Sequence, residues 1–133
     1  MNNKVIMVVD DEADMLTLLE ITLKQHGFVV LKAQNAGLAL HLVRSLTPNL
    51  FVVDVMLPGM DGIELTREIR ANPHTAKTPV IVFSAQDSMR VQNEAYEAGA
   101  NAFLPKTMLW RSLIPEVLAL LNRSNGRQSQ AHS

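Results

Sequence analysis

The sequence predicts a doubly wound α/β fold: a five-stranded parallel sheet in the order 2-1-3-4-5, with helices on both faces. Three observations carry this. Five short apolar runs alternate with stretches whose apolar residues recur at helical spacing. The runs are apolar at nearly every position, as strands covered on both faces must be. Two of them stop at carboxylates: VIMVV at Asp10 and Asp11, and LFVV at Asp54. In the order 2-1-3-4-5 the carboxyl ends of strands one and three lie side by side where the winding reverses, the usual place for chemistry in an open α/β sheet.

Taken in order, residues 5–9 form the first strand. From about Asp14 a helix carries Met15, Leu18, Leu19, Ile21 and Leu23, with Gly27 as its stop. Residues 28–31 form the second strand. Asn35 caps a second helix with Leu38, Leu42 and Val43 inward. Pro48 separates that helix from the central strand, which reaches Asp54 and passes into a loop with Pro58, Gly59 and Gly62. A third helix covers 63–70, with Leu65 and Ile69 four apart. Pro79 opens the fourth strand, 80–83; a fourth helix runs over 89–98 and stops at Gly99. Residues 102–104 form the fifth strand, and a last helix ends near Leu121, with Pro115 inside it removing one backbone bond. The folded unit is therefore 1–121. Residues 122–133, NRSNGRQSQAHS, are polar and aperiodic and read as a disordered tail or the start of a linker.

Composition narrows the function. The chain has 133 residues, 47% hydrophobic and 19% charged, with a net charge of −1, so one ordinary globular domain is expected and no nucleic-acid footprint. With no cysteine, disulfides and thiolate metal sites are excluded, and the four histidines lack ligand spacing. The N-terminal apolar run is too short for a signal peptide or a membrane span, which makes the cytoplasm the default location.

The predicted topology gathers a site. Asp10, Asp11 and Asp54 converge on one rim, where like charges raise one another's pKa unless a cation neutralises them. A hard divalent ion fits, and Mg²⁺ suits a site with few carboxylates and retained waters. Ser84, after strand four, offers a hydroxyl, and Lys106, after strand five, a mobile cation. Together these form a kit for phosphoryl transfer to an aspartate. Each has a plainer reading alone: Asp54 as a turn cap, Asp11 or Asp14 as a helix cap, Ser84 as a turn residue, Lys106 as a solvated lysine.

The stretches VVDDE, VVDVMLPGMDG, VIVFSA and AGANAFLPK resemble, in order and separation, the motifs of the receiver domains of two-component response regulators, over about residues 5–121. The resemblance implies the CheY-like, flavodoxin-like (βα)5 three-layer sandwich, for which the order 2-1-3-4-5 is known. It implies that Asp54 accepts phosphate from a phosphohistidine of a histidine kinase or phosphotransfer protein, as a phosphoacceptor that assists its own phosphorylation and dephosphorylation rather than as an enzyme. It implies Mg²⁺ on Asp11, Asp54 and the backbone carbonyl of Met56, with Asp10 helping through water. Lys106 would pair with the phosphate, or with Asp54 before transfer. Ser84 would bond a phosphoryl oxygen, and the rotamer of Phe103 would follow it.

Three departures from the family pattern stand out. Thr107 follows Lys106 where the family usually has proline after a cis bond, Phe103 replaces a frequent tyrosine, and Pro115 lies in the last helix. Rival readings are weaker. A receiver-like binding module that is never phosphorylated has only the missing Lys-Pro pair behind it. A haloacid-dehalogenase-like phosphohydrolase needs an acid where Met56 stands. A flavin carrier would meet repelling carboxylates and few aromatics. The last helix has more apolar residues than one buried stripe can hold, which predicts an output surface that includes Trp110. The resemblance implies partner docking or a homodimer there, through helix four, strand five and helix five, with neither nucleic acid nor membrane bound by this domain.

Overall fold

The computed structural model describes residues 3–132, with side chains as far as residue 123. Its elements are β1 (Val5–Val9), α1 (Ala13–Lys24), β2 (Val29–Ala33), α2 (Ala36–Leu42), β3 (Leu50–Asp54), α3 (Gly62–Ala71), β4 (Val80–Ser84), α4 (Met89–Ala98), β5 (Ala102–Pro105), a 3-10 turn (Lys106–Met108) and α5 (Leu109–His132). The five strands are parallel, in the predicted order β2-β1-β3-β4-β5. Side chains alternate across the sheet, so each strand feeds two cores. Met7, Val9, Phe51, Val53, Val80 and Val82 pack with residues of α2, α3 and α4. Ile6, Val8, Leu50, Val52, Ile81 and Phe83 pack with α1 and α5. Every residue of β3 and β4 is buried, which is why those runs contain no surface-type residue before their last position.

Local chemistry explains most element ends. The Asn35 side chain accepts from the Leu38 N–H, as expected of a cap. Asp61 and Glu64 form a reciprocal capping box at the start of α3, which the sequence reading passed over. Gly99 ends α4 with φ 111°, a left-handed conformation that favours glycine.

Of four expectations, one holds and three need correction. First, Gly27 stops α1 as expected: at φ 86° it closes the helix end, its N–H donating to the Lys24 carbonyl at 3.0 Å and the Phe28 N–H to the Leu23 carbonyl at 3.3 Å. Second, β2 covers Val29–Ala33, not 28–31. Its pairing with β1 runs from Val5 opposite Val29 to Val9 opposite Ala33, so the partner's length sets its extent, and Phe28 is buried in the core before the strand begins. Third, Leu38 is 38% exposed. The inward positions of α2 are Ala36 and Ala39, with Val43 at its cap, and Leu42 is only partly buried. Fourth, the last helix continues past Leu121 to His132, because nothing in 122–132 breaks a backbone already in helical register except a single glycine. Among the described side chains Leu121 is nevertheless the last in the core. The side chains of the polar segment from residue 124 onward, including His132, lie outside the described residues.

No described peptide bond is cis, so the bond from Lys106 to Thr107 is trans. Pro115 lies within α5 on an exposed position. Among the described residues no helix is long and apolar enough to cross a membrane.

Candidate functional site

The carboxyl ends of β1 and β3 are adjacent, and they deliver three carboxylates to one place. Each of Asp10, Asp11 and Asp54 offers an oxygen lying within 4.8 Å of the others. The apolar strands drive this: burying Val8, Val9, Val52 and Val53 leaves the following aspartates no position except the rim. Asp10 is wholly buried and Asp54 nearly so, whereas Asp11 is exposed.

Hydrogen bonds hold the carboxylates in place. The Glu12 N–H donates to Asp10 Oδ1 at 2.8 Å, and the Met56 N–H donates to Asp54 Oδ1 at 3.0 Å. Asp10 Oδ2 is buried with no hydrogen-bond partner. An orphaned carboxylate oxygen in a cluster of three acids is a costly arrangement for the empty protein, and it is the donor chemistry that a hard divalent cation satisfies. The residues present therefore fit Mg²⁺.

Burial dominates the electrostatics. It pushes the Asp10 carboxyl up to about 6; the Glu12 N–H opposes this, and the charges of Asp54, Asp11 and Glu12 add to it. Asp54 is also raised, again chiefly by burial. The Met56 N–H and then the Lys106 ammonium pull it down, Asp11 pushes it up, and a proton held on Asp10 would donate toward it.

One cleft is lined by Asp11, Glu12, Asp54, Met56, Ala85 and Lys106. Lys106 therefore lines the same cleft as Asp11 and Asp54, but its ion pair is with Glu12, at 3.6 Å, rather than with Asp54. Glu12 was missed in the sequence. The available signal was a third acid after Asp10 and Asp11, at a helix start where glutamate is a poor cap.

Ser84 ends β4 and is fully buried; its Oγ accepts from the Gln86 N–H at 3.0 Å. Phe103 is buried in the core on the α2, α3 and α4 side, not in the cleft. The Phe103 N–H donates to the Tyr96 hydroxyl at 3.2 Å, a tie between α4 and β5 with no local sequence signal. Trp110, at the start of α5, is 46% exposed and lines no part of the cleft.

Gly62 closes the site from below. Its N–H bonds the Val55 carbonyl at 2.8 Å, and a Cβ here would collide with the Asp54 carbonyl. The loop after the central strand can fold back under Asp54 only because this position has no side chain.

Comparison with known proteins agrees with this geometry. A family model described as the response regulator receiver domain matches residues 6–117. Protein PetR of Rhodobacter capsulatus is 36% identical over 118 residues, covering 89% of this chain and 48% of PetR. The phosphate regulon transcriptional regulatory protein PhoB of Pseudomonas aeruginosa is 31% identical over 131 residues, covering 98% of this chain and 57% of PhoB. The chain spans about half the length of these curated relatives. The crystal structure of a response regulator from Chloroflexus aurantiacus matches with a TM-score of 0.85 at 30% identity, over 91% of this chain and 99% of that one.

Proposed function

Because the chain belongs to the response regulator receiver domain family of two-component systems, we propose that Asp54 accepts a phosphoryl group from a phosphohistidine of a histidine kinase or phosphotransfer protein. The observation that carries this reading is the convergence of Asp10, Asp11 and Asp54 with one buried carboxylate oxygen left unpaired. Asp11, Asp54 and the Met56 carbonyl would hold Mg²⁺, with Asp10 acting through water. The ion, when bound, would neutralise the carboxylates and the incoming phosphoryl oxygens.

The chain's own residues divide the work. The Met56 N–H occupies Asp54 Oδ1, and we assign Oδ2 to attack. The new bond joins that oxygen to phosphorus. The bond from phosphorus to the donor imidazole breaks, and its electron pair returns to the ring nitrogen. Lys106 supplies a cation for the transferred group from the side of the cleft it already lines. Ser84 accepts a hydrogen bond now and keeps its own proton to donate to a phosphoryl oxygen. Drawing the Ser84 hydroxyl toward the phosphoryl group would open space beside β5, where Phe103 is packed, and alter the surface of α4, β5 and α5. Met108, Trp110 and Leu118 are exposed on or just before α5, and Trp110, Ile114 and Leu118 stand four apart on one side of it. We read this as the surface that changes partner or self-association.

The test is direct. With Mg²⁺ and acetyl phosphate the protein should gain one acid-labile, hydroxylamine-sensitive phosphoryl group, and Asp54→Asn should gain none. Equal labelling of the variant would remove Asp54 as the acceptor.

A further inference from the structure

Glu12 has no part in the acceptor chemistry above, yet its placement is specific. It precedes α1 in the cap position, and its side chain makes no cap bond. Serine, threonine, aspartate or asparagine would suit that position better, since their shorter side chains reach the first free N–H groups. The Glu12 N–H is already committed to Asp10. Its carboxylate turns instead toward Lys106, 3.6 Å from Nζ, across the cleft that also holds Asp11 and Asp54. Departures from a local rule tend to mark functional positions.

Lys106 therefore has two acidic neighbours: Glu12, which it meets, and Asp54, whose ionised form its charge favours. A lysine is a point charge on a flexible stem and can exchange one for the other. We infer that Glu12 is a positioning residue that parks the Lys106 ammonium at the outer rim of the cleft, off Asp54, until a phosphoryl group draws it inward. This rests on the reading of Asp54 as the acceptor. An ammonium resting on Asp54 would compete with a divalent cation for the same oxygens; one held by Glu12 leaves them open. The tether is weak by construction. The Glu12 and Lys106 side chains are 63% and 34% exposed, and 3.6 Å is longer than a hydrogen bond. A phosphoryl group, with more negative charge than one carboxylate, can therefore win the lysine without a large barrier.

A double-mutant cycle separates this from a mere surface charge. Mg²⁺ affinity of the unphosphorylated protein would be measured at low salt by NMR shift titration, for the wild type, Glu12→Gln, Lys106→Met and the double variant. Glu12→Gln should weaken Mg²⁺ binding by about two- to fivefold with Lys106 present, and have no effect in the Lys106→Met background. An equal loss in both backgrounds would mean that Glu12 acts only as a negative charge near the ion, and would overturn the inference. No loss in either background would overturn it too. Absence of any Mg²⁺ binding by the wild type would instead strike at the acceptor reading itself, and the inference would fall with it.

Discussion

Asp10 is the residue whose burial has the most consequence. Its carboxyl is pushed up to about 6 by desolvation, while in an unfolded chain it titrates near pH 4. Between these values the metal-free folded state binds more protons than the unfolded one, so stability falls as pH rises through the window. The stabilisation is complete below about pH 4 and is lost as the pH passes about 6. Asp54, also raised by burial, acts in the same direction. Urea unfolding of the metal-free protein across this window should show the decline, and Asp10→Asn, which is neutral throughout, should flatten it. Added Mg²⁺ should counter the decline at the upper end, because the ion needs ionised carboxylates. An equally steep decline in the Asn variant would assign the effect to other groups.

Helix α3 is held at each end by a single residue. Helix α3 begins at Gly62, against the Asp54 carbonyl. Gly62→Ala must push the helix or Asp54 aside. It should cost about 1–3 kcal/mol in thermal or urea unfolding and slow phosphorylation of Asp54 as well. Normal labelling with normal stability would show that the loop yields freely. At the other end of α3, Arg70 makes four hydrogen bonds: to the carbonyls of Gly99, Thr75 and Thr78 and to the Asn101 side chain. Asn101 Oδ1 also accepts from the Val80 N–H, so this one fork ties α3, the approach to β4 and the turn after α4. Arg70→Met should destabilise by about 2–3 kcal/mol in urea unfolding. Arg70→Lys should recover little of it, since an ammonium cannot reach acceptors on so many sides at once. Phosphorylation should survive both changes, because the fork lies at the opposite end of the strands from Asp54.

At the scale of the molecule, the acidic cleft and the exposed apolar residues of α5 stand on different sides. The cleft lies at the carboxyl ends of the strands, whereas Trp110 and Leu118 are exposed along α5. The buried stripe of α5 is Leu109, Leu113, Val117, Leu120 and Leu121. Trp110 and Leu118 thus stay exposed after the core is filled. Beryllofluoride, as a mimic of the phosphoryl group, should change the sedimentation of the protein and the fluorescence of Trp110 together. Unchanged sedimentation with unchanged fluorescence would remove self-association through this face.

Much of the fold and most of the acidic site were legible in the chain. An apolar strand that ends in a carboxylate is a local pattern, and the winding rule then brings the ends of β1 and β3 together. Asp10, Asp11 and Asp54 could be placed in one cluster on that basis. Apolar residues at nearly every strand position likewise foretold a sheet covered on both faces. What periodicity could not convey was which partner a long polar side chain would choose. The Glu12 pairing of Lys106, the Arg70 fork and the bond from Phe103 to the Tyr96 hydroxyl each join different elements of the fold. The span of β2 depended on β1, and the exposure of Leu38 on how a seven-residue helix rolled against the sheet. Hydrophobic spacing reports which way a side chain faces within its own element. Polar contacts between loops depend on where several elements stop, and those distances exist only once the two cores have packed.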